Sequence, residues 1–191
     1  MRPAPSAPIR DGIEPGVRAE SPVDVKCAVV EGLRYLTVQD ILYINTQVAK
    51  TPQRFRALKL EEASFGQYGY GKSVDVERQA AGLLAGILRL RPFESANEAT
   101  ALVSCAAFLL LNGRRLDVDD AKAANWVLGV SNDAKAAGDK FAKAAQPAEE
   151  TASHGFGIEE AIREALAAFP GSIRELAEAT QGRAPAQASW E

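Results

Sequence analysis

Apolar residues recur every three or four positions along most of this chain, which is the spacing that places them on one face of an α-helix. The stretches between these segments are polar or contain Gly and Pro. The periodicity predicts helices after Thr37, over about Val74 to Leu90, over about Asn97 to Leu111, from Asp117 onward, through an Ala-rich stretch to Ala145, over "GIEEAIREALAAF" and over "SIRELAEAT". The expected fold class is therefore all-α.

Residues with known preferences for helix ends stand at several of these boundaries. Thr37 is a good N-cap, and Asp40 three residues later can complete a capping box. Pro92 ends the second helix, because proline cannot continue it. Asn112-Gly113 predicts a left-handed cap after the third helix. The predicted apolar face of the first helix consists of Ile41, Leu42, Val48 and Ala49.

The third helix differs from the others because apolar side chains occupy much of its circumference. These side chains are Ala101, Leu102, Cys105, Ala106, Phe108 and Leu109. A helix that is apolar on most sides is buried by its neighbours. We therefore expect a bundle of helices around this central element.

The chain divides by composition into three parts. Residues 1–22 hold five of the ten prolines without any periodic pattern, which predicts a mobile arm. Residues 23–146 are expected to form the helical domain, and residues 147–191 a C-terminal helical extension. Within the domain, "TPQRFRALKLEEASFGQYGYGK" is rich in Gly and Tyr and predicts a loop with little regular structure.

Charge and hydropathy exclude several classes of partner. The formal net charge is -3, so no basic face for nucleic acid is expected. The longest apolar run, around Ala101 to Leu111, is shorter than the about 20 residues that span a bilayer. "MRPAPSAPIRDGIEPG" lacks the apolar run of a secretory signal, so we expect a cytoplasmic protein with no membrane partner. Cys27 and Cys105 have no metal-ligating neighbours and are expected to be reduced thiols.

The segment "RPFESANEATALVSCAAFLLLNGRRL" resembles the signature helix of the Fic/Doc (Fido) family, and specifically its death-on-curing branch. The family loop is His-x-Phe-x-Asp-Ala/Gly-Asn-Lys-Arg-Thr-Ala, followed by an apolar helix that ends in Asn-Gly. "LTVQDILYIN" and "VDVERQAAGLLAGILRLRPF" are similar to the helices that precede it. The resemblance covers roughly Leu36 to Val130. It implies a Fic/Doc-like helical bundle around the central apolar helix, with a short flap hairpin.

Three residues of the loop match the family motif, and the resemblance implies their roles. Phe93 matches the Phe that packs the loop onto the core. Ala96 matches the small residue that lets backbone amides approach a phosphate. Asn97 matches the Asn of the anion-binding turn.

Four other positions depart from the motif. Arg91 stands where the family has the His that acts as general base, and a guanidinium has no lone pair with which to accept a proton. Ser95 replaces the acidic ligand of magnesium, and a neutral hydroxyl is a poor substitute. Glu98 replaces a basic residue, and Ala99 replaces the Arg that binds nucleotide phosphates. We also expect Arg91 and Glu98 to form a local ion pair across the loop.

These departures favour a catalytically inactive Fic/Doc-like protein retained as a protein-binding or regulatory module. No catalytic residue, metal ion or cofactor is then expected. The alternative is a Fic/Doc-type transferase that moves a phosphoryl or nucleotidyl group from ATP or another nucleoside triphosphate, with magnesium, to a protein hydroxyl. Such an enzyme could be the toxin of a toxin–antitoxin pair, which an adjacent antitoxin gene would favour.

Five residues outside these motif positions could also bind or catalyse. In Fido proteins the region before the motif forms a flap that aligns a target segment, which would make Phe65, Tyr68 and Tyr70 part of a protein-binding edge. A surface loop pinned by its aromatic rings explains the same residues equally well. His154 is expected to be an exposed linker residue and not a replacement base. Glu94 is expected to be a carboxylate on the loop surface and not a metal ligand.

Overall fold

A computed structural model of the protein describes residues 32–68, 75–130, 134–148 and 156–181. Within these ranges the chain is mostly helical, which confirms the all-α prediction. The helices are α1 (Val38–Ala49), α2 (Ala57–Ser64), α3 (Val76–Leu90), α4 (Asn97–Leu111), α5 (Asp120–Leu128), α6 (Ala134–Ala144), α7 (Ile158–Ala168) and α8 (Pro170–Gln181), with a 3₁₀ helix at Phe65–Gln67. Two short strands, β1 (Arg114–Leu116) and β2 (Ala145–Pro147), complete the fold. The predicted arm over residues 1–22 lies outside the described residues.

Helix α4 is the centre of the core, and its bounds are those that the sequence predicted. All of its side chains except Glu98 and Leu110 are buried. Helices α1, α3, α7 and α8 all contact α4. Because α4 is apolar nearly all round, only enclosure by several helices removes that surface from water. None of the helices among the described residues combines the length and the apolar character needed to span a membrane.

The predicted helix ends are confirmed at α1, α3 and α4. The Asp40 N–H donates to the Thr37 hydroxyl at 3.2 Å, and the Thr37 N–H donates to the Asp40 carboxylate at 2.7 Å. Helix α3 ends before Pro92, as expected. Gly113, which follows α4, has a φ of 72°, the left-handed conformation that glycine adopts without strain. These ends depend on neighbouring residues alone, which is why the sequence predicts them.

The prediction of a loop over residues 51–72 is wrong for much of that segment, because Ala57–Ser64 forms α2 and residues 65–67 form the 3₁₀ helix. Residues 51–68 contain no flap hairpin. Gly66 does not provide loop flexibility. It allows a close contact with α3, because a Cβ on Gly66, or on Gly82 of α3, would collide with the carbonyl of the other residue. A Cβ on Gly86 would lie 2.9 Å from the Ala63 carbonyl oxygen. Glycine therefore allows α2 and the 3₁₀ helix to approach the backbone of α3 closely.

The start of the fourth predicted helix is also wrong, since α5 begins at Asp120 and not at Asp117. Residues 117–119 lie outside any helix or strand. The strand β1 ends just before them and pairs antiparallel with β2, so that Arg114 lies opposite Pro147 and Leu116 opposite Ala145. The Asp117 N–H extends this pairing by donating to the Ala144 carbonyl at 2.7 Å. Strands of three residues are too short to show an alternating pattern, and their pairing depends on distant residues.

The last two helices complete the bundle core. Helix α7 packs against α4, and α8 packs against α5 and α4. The C-terminal residues that join the core are Ala161, Ile162, Ala165, Phe169, Ile173 and Leu176. Pro170 is the first residue of α8, a position that proline tolerates because its missing N–H has no partner within the helix. The apolar face of α7 is thus covered by the chain itself.

Asp120 joins the start of α5 to the start of α8. Its carboxylate accepts hydrogen bonds from the N–H groups of Gly171 and Ser172, both at 2.8 Å. The Ser172 hydroxyl in turn accepts a hydrogen bond from the Ala124 N–H at 3.0 Å. Although partial burial raises the pKa of Asp120, the bonds from Ser172 and Gly171 outweigh it and hold this pKa below its ordinary value.

Replacing Asp120 by Asn should lower the free energy of unfolding at pH 7 by about 1 kcal/mol, as for the loss of a helix-capping acceptor. A carboxyl whose folded pKa is depressed stabilises the fold above its unfolded pKa, about 3.9, and that stability is lost as the pH falls through the folded value. The difference between the wild type and Asp120→Asn should therefore shrink below about pH 4. Urea denaturation at pH 7 and pH 3 measures it. Asp119→Asn, at an exposed carboxylate next to Asp120, is the control, and an Asp120→Asn effect that does not change with pH would contradict the assignment.

Candidate functional site

The signature loop, residues Arg91–Ala96, connects α3 to α4 and begins and ends with a residue in the left-handed conformation. Arg91 has a φ of 45° and donates its N–H to the Ile87 carbonyl at 2.9 Å, which closes α3. Ala96 has a φ of 57° and precedes the first residue of α4. This conformation strains a residue that has a Cβ, and a small side chain limits the strain. The loop is therefore a sharp turn between two buried helices.

The Asn97 side chain stabilises the turn through two hydrogen bonds to the backbone of Phe93. Its side-chain oxygen accepts a hydrogen bond from the Phe93 N–H at 3.0 Å, and its side-chain nitrogen donates to the Phe93 carbonyl at 2.9 Å. Asn97 and Phe93 are both buried. Phe93 therefore packs into the core, as the resemblance implies. The Asn97 amide is engaged on both sides by the loop backbone, so its immediate role here is structural.

Arg91 and Glu98 form the expected ion pair across the loop. Arg91 Nη1 lies 2.5 Å from Glu98 Oε1, and Nη2 lies 3.4 Å from Oε2. The Glu98 side chain is only 12% exposed and that of Arg91 is 43% exposed. Glu98 lies in the first turn of α4, where the helix dipole favours a carboxylate. At this exposure the pair contributes little stability, about 0–1 kcal/mol. Its consequence is that the carboxylate in the first turn of α4 already has a cationic partner.

The other two departures from the motif have different surroundings. The Ser95 hydroxyl donates to the side-chain oxygen of Gln53 at 2.9 Å. Ala99 has no exposed surface and belongs to the core cluster. The Cβ of residue 99 is therefore inside the protein. The resemblance instead places a phosphate-binding Arg on the loop surface at this position. Glu94 is exposed on the loop, as expected.

Asn45 supports the loop from α1 and was missed by the sequence analysis. Its side-chain nitrogen donates to the Ser95 carbonyl at 3.2 Å and to the Thr100 hydroxyl at 2.9 Å. The Thr100 hydroxyl donates to the Ala96 carbonyl at 2.7 Å. A signal was available, because Asn45 lies four residues after Ile41 on the same helix face. The buried face of α1 consists of Ile41, Ile44, Asn45 and Val48, whereas Leu42 and Ala49 are only half-buried.

The chain just before α2 covers one side of the signature loop. The Arg56 N–H donates to the Pro92 carbonyl at 2.9 Å, and the Glu94 N–H donates to the Arg54 carbonyl at 3.0 Å. Phe55 and Phe93 form an isolated antiparallel bridge between these bonds. Residues 54–56, part of the segment predicted as an irregular loop, thus pair with the backbone of the signature loop. No local pattern predicts this pairing, because it joins residues 54–56 to residues 92–94, which are distant along the chain.

The two flap residues in the described part of the chain lie close together and are partly exposed. The rings of Phe65 and Tyr68 are 6.1 Å apart, and the Tyr68 ring is 4.6 Å from that of Tyr35. Phe65 and Tyr68 keep 58% and 42% of their surface exposed. Tyr70 lies outside the described residues. The ring contacts agree with a pinned surface loop and the exposed faces agree with a binding edge, so both interpretations stay open.

Candidates for metal or nucleophilic chemistry are few in the described part of the chain. No group of three or more His, Cys, Asp or Glu residues is placed to hold a metal ion within the described ranges. Cys105 is a free, fully buried thiol, and burial raises its pKa far above the ordinary value. Such a thiol stays protonated and is a poor nucleophile. Cys27 and His154 lie outside the described residues.

Comparisons of the chain with protein-family models, with curated proteins and with solved structures find no match. The likeness to the Fic/Doc family therefore rests on the quoted residues of the signature segment and of the two helices before it.

Proposed function

We propose that this chain is a catalytically inactive Fic/Doc-like protein that acts as a protein-binding or regulatory module. The observation that carries the proposal is the Arg91–Glu98 ion pair at the start of α4. In the family motif these two positions hold the general base and a basic residue of the anion site. In this chain they are occupied by charges that bind each other.

The first argument concerns the proton. Transfer to a protein hydroxyl requires a group that removes its proton, and such a base typically contributes a factor of about 10²–10⁴ in rate. The Arg91 guanidinium stays protonated and offers only donors. Within the described residues of the loop, the nearest alternative in sequence is Glu94, which is exposed on the surface. The loop thus lacks a residue suited to the family mechanism.

The second argument concerns the anion. The start of a helix attracts a phosphate through free N–H groups and the helix dipole. Glu98 places a largely buried carboxylate in that first turn, where it repels a second anion. A phosphate at this position would have to break the Arg91–Glu98 ion pair. Ser95 brings no charge for a magnesium ion, and its hydroxyl is bonded to Gln53.

The protein-binding part of the proposal is supported by where apolar side chains are exposed. Among the described residues the exposed large hydrophobic side chains include Phe55, Leu58, Phe65 and Tyr68, all within one short segment around α2. Contiguous exposed apolar patches are typical of protein-interaction sites, and the closeness of these four residues along the chain favours such a patch here. The segment adjoins the signature loop through the Phe55–Phe93 bridge.

Wild-type protein should show no saturable binding of magnesium-ATP in a calorimetric titration up to about 1 mM, where binding is worth only about 4 kcal/mol. The physical reason is the Glu98 carboxylate in the first turn of α4, together with the absence of a cation at position 99. The same samples are incubated with ATP labelled in the α- or γ-phosphate, and no label should appear on protein.

Magnesium-ATP binding with a dissociation constant in the low micromolar range would contradict the proposal if Arg91→Ala abolished it. The Arg91 guanidinium would then be a nucleotide ligand. Transfer of label to a protein would refute the proposal directly and favour the transferase alternative. Arg89→Ala is the matched control, because Arg89 lies on the surface of α3 outside the loop. It pairs with Glu62 of α2 at 3.1 Å.

A further inference from the structure

Gln53–Lys59, the segment that leads into α2, lines an open groove of about 730 Å³. The volume lies in the range of natural ligand pockets, about 300–1,000 Å³. The groove adjoins the signature loop, because the backbone of Arg54 and Arg56 is bonded to that of Glu94 and Pro92. Its lining residues are Gln53, Arg54, Phe55, Arg56, Ala57, Leu58 and Lys59.

The charged side chains of the groove are all cationic. Its lining contains Arg54, Arg56 and Lys59 and no acidic residue. None of the ion pairs formed within the described residues involves Arg54 or Lys59. Three carboxylates lie close to the groove in the chain or through the adjoining loop: Glu62 is bonded to Arg89, whereas Glu61 and Glu94 are exposed. None of the three belongs to its lining. The groove is therefore a local basic surface on a chain whose formal net charge is -3.

Two apolar side chains stand between these cations. Leu58 is 81% exposed and Phe55 is 43% exposed. Interfaces between proteins combine such apolar contacts with charged residues at the rim. A ligand that matches this surface needs carboxylates and apolar side chains close together.

We propose that the groove docks a short acidic segment of a partner protein, whose carboxylates bind Arg54 and Lys59 while an apolar side chain covers Leu58 and Phe55. This inference rests on the proposed protein-binding function and gives the partner its chemistry. A short peptide responds to the local charge of the groove. A long polyanion such as RNA, or an anionic membrane, also feels the negative charge of the whole chain, which opposes binding.

The first experiment selects peptides from a random dodecapeptide display library on the immobilised full chain. Enriched peptides should carry a net negative charge and at least one large apolar residue. Enrichment of peptides without an excess of acidic residues would overturn the proposal, and so would a selection that yields no enriched sequence.

The second experiment measures the enriched peptides by fluorescence anisotropy. Arg54→Glu combined with Lys59→Glu should weaken binding at least about tenfold, because both contacts become repulsive. Leu58→Ser should also weaken peptide binding, and the affinity of the wild type should fall as salt screens the charges.

Two controls match these variants. Lys143→Glu combined with Arg163→Glu makes an equal change of net charge at exposed positions on α6 and α7. Leu128→Ser removes an exposed leucine from α5. Circular dichroism verifies that each variant is folded.

Equal affinity of the wild type and the groove double variant would overturn the proposal. So would dimerisation of the wild type that is lost in Leu58→Ser, which would assign the surface to a second copy of the chain. The wild type could instead bind RNA or anionic phospholipid vesicles and no peptide. If the double variant lost that binding, the ligand of the groove would be a polyanion and the proposal of an acidic peptide would be wrong. These outcomes are separate from the nucleotide titration: magnesium-ATP binding would refute inactivity alone, and failure of the peptides would refute this inference alone.

Discussion

Asn97→Ala is expected to lower the free energy of unfolding by about 2–6 kcal/mol, because it leaves two buried backbone groups without partners. The Phe93 N–H and the Phe93 carbonyl both bind the Asn97 side chain, and Phe93 is itself buried. Each unsatisfied buried group costs about 1–3 kcal/mol. Water reaches neither group easily, since Ala96 and Ala99 beside them are also buried. Urea denaturation of the wild type and the variant measures the difference.

Asn97→Asp separates the two hydrogen bonds. The aspartate keeps an acceptor for the Phe93 N–H but places an oxygen against the Phe93 carbonyl, so a substantial loss should remain. Ser95→Ala is the control within the same loop, because it removes one half-buried hydroxyl bonded to Gln53 and should cost no more than about 1 kcal/mol. An Asn97→Ala effect no larger than that of Ser95→Ala would mean that the loop closes without the Asn97 amide.

Leu109→Ala in α4 is expected to cost about 2–5 kcal/mol, the range for removing most of a large side chain from a packed core. Leu109 has no exposed surface and lies in the core cluster with Phe108. The helices packed around α4 are expected to relax only partially into the space. The cost therefore includes a cavity in addition to the lost burial of the leucine.

Leu128→Ala makes the same chemical change at a leucine that is 59% exposed in α5. It should change the free energy of unfolding by less than about 0.5 kcal/mol, as most surface substitutions do. The comparison isolates burial from helix propensity, because both variants exchange leucine for alanine in a helix. Equal effects of the two substitutions would remove α4 from the centre of the core.

Features that depend on neighbouring residues were predicted from the sequence alone. The capping box of Thr37 and Asp40, the bounds of α4 and the left-handed Gly113 are all local. The Arg91–Glu98 pair also belongs to this class, since its members are seven residues apart across one turn. Local rules suffice here because the interacting groups are joined by a short stretch of chain whose geometry has few alternatives.

The candidate site was predicted only in part. The loop, its Phe93 and its small residue Ala96 were identified in the sequence, and Phe93 packs into the core as expected. The phosphate-binding role that the resemblance implies for Ala96 stays a prediction. The buried position of Ala99 and the support from Asn45 and Gln53 were not identified. These depend on which side of α4 faces the core and on how α1 packs against the loop, and neither is encoded in the motif itself.

By itself, the sequence of this protein determined the helical periodicity, the capped ends at α1, α3 and α4, and the unusually apolar character of α4, because propensity, capping and periodicity act within a few residues. Tertiary structure alone decided that Gly66 lies in a close backbone contact with Gly82 of α3 and not in a loop. It also decided the pairing of β1 with β2 and the bridge between Phe55 and Phe93. Each of these joins segments that are distant along the chain, and such contacts form only because burial of the α4 surface brings those segments together.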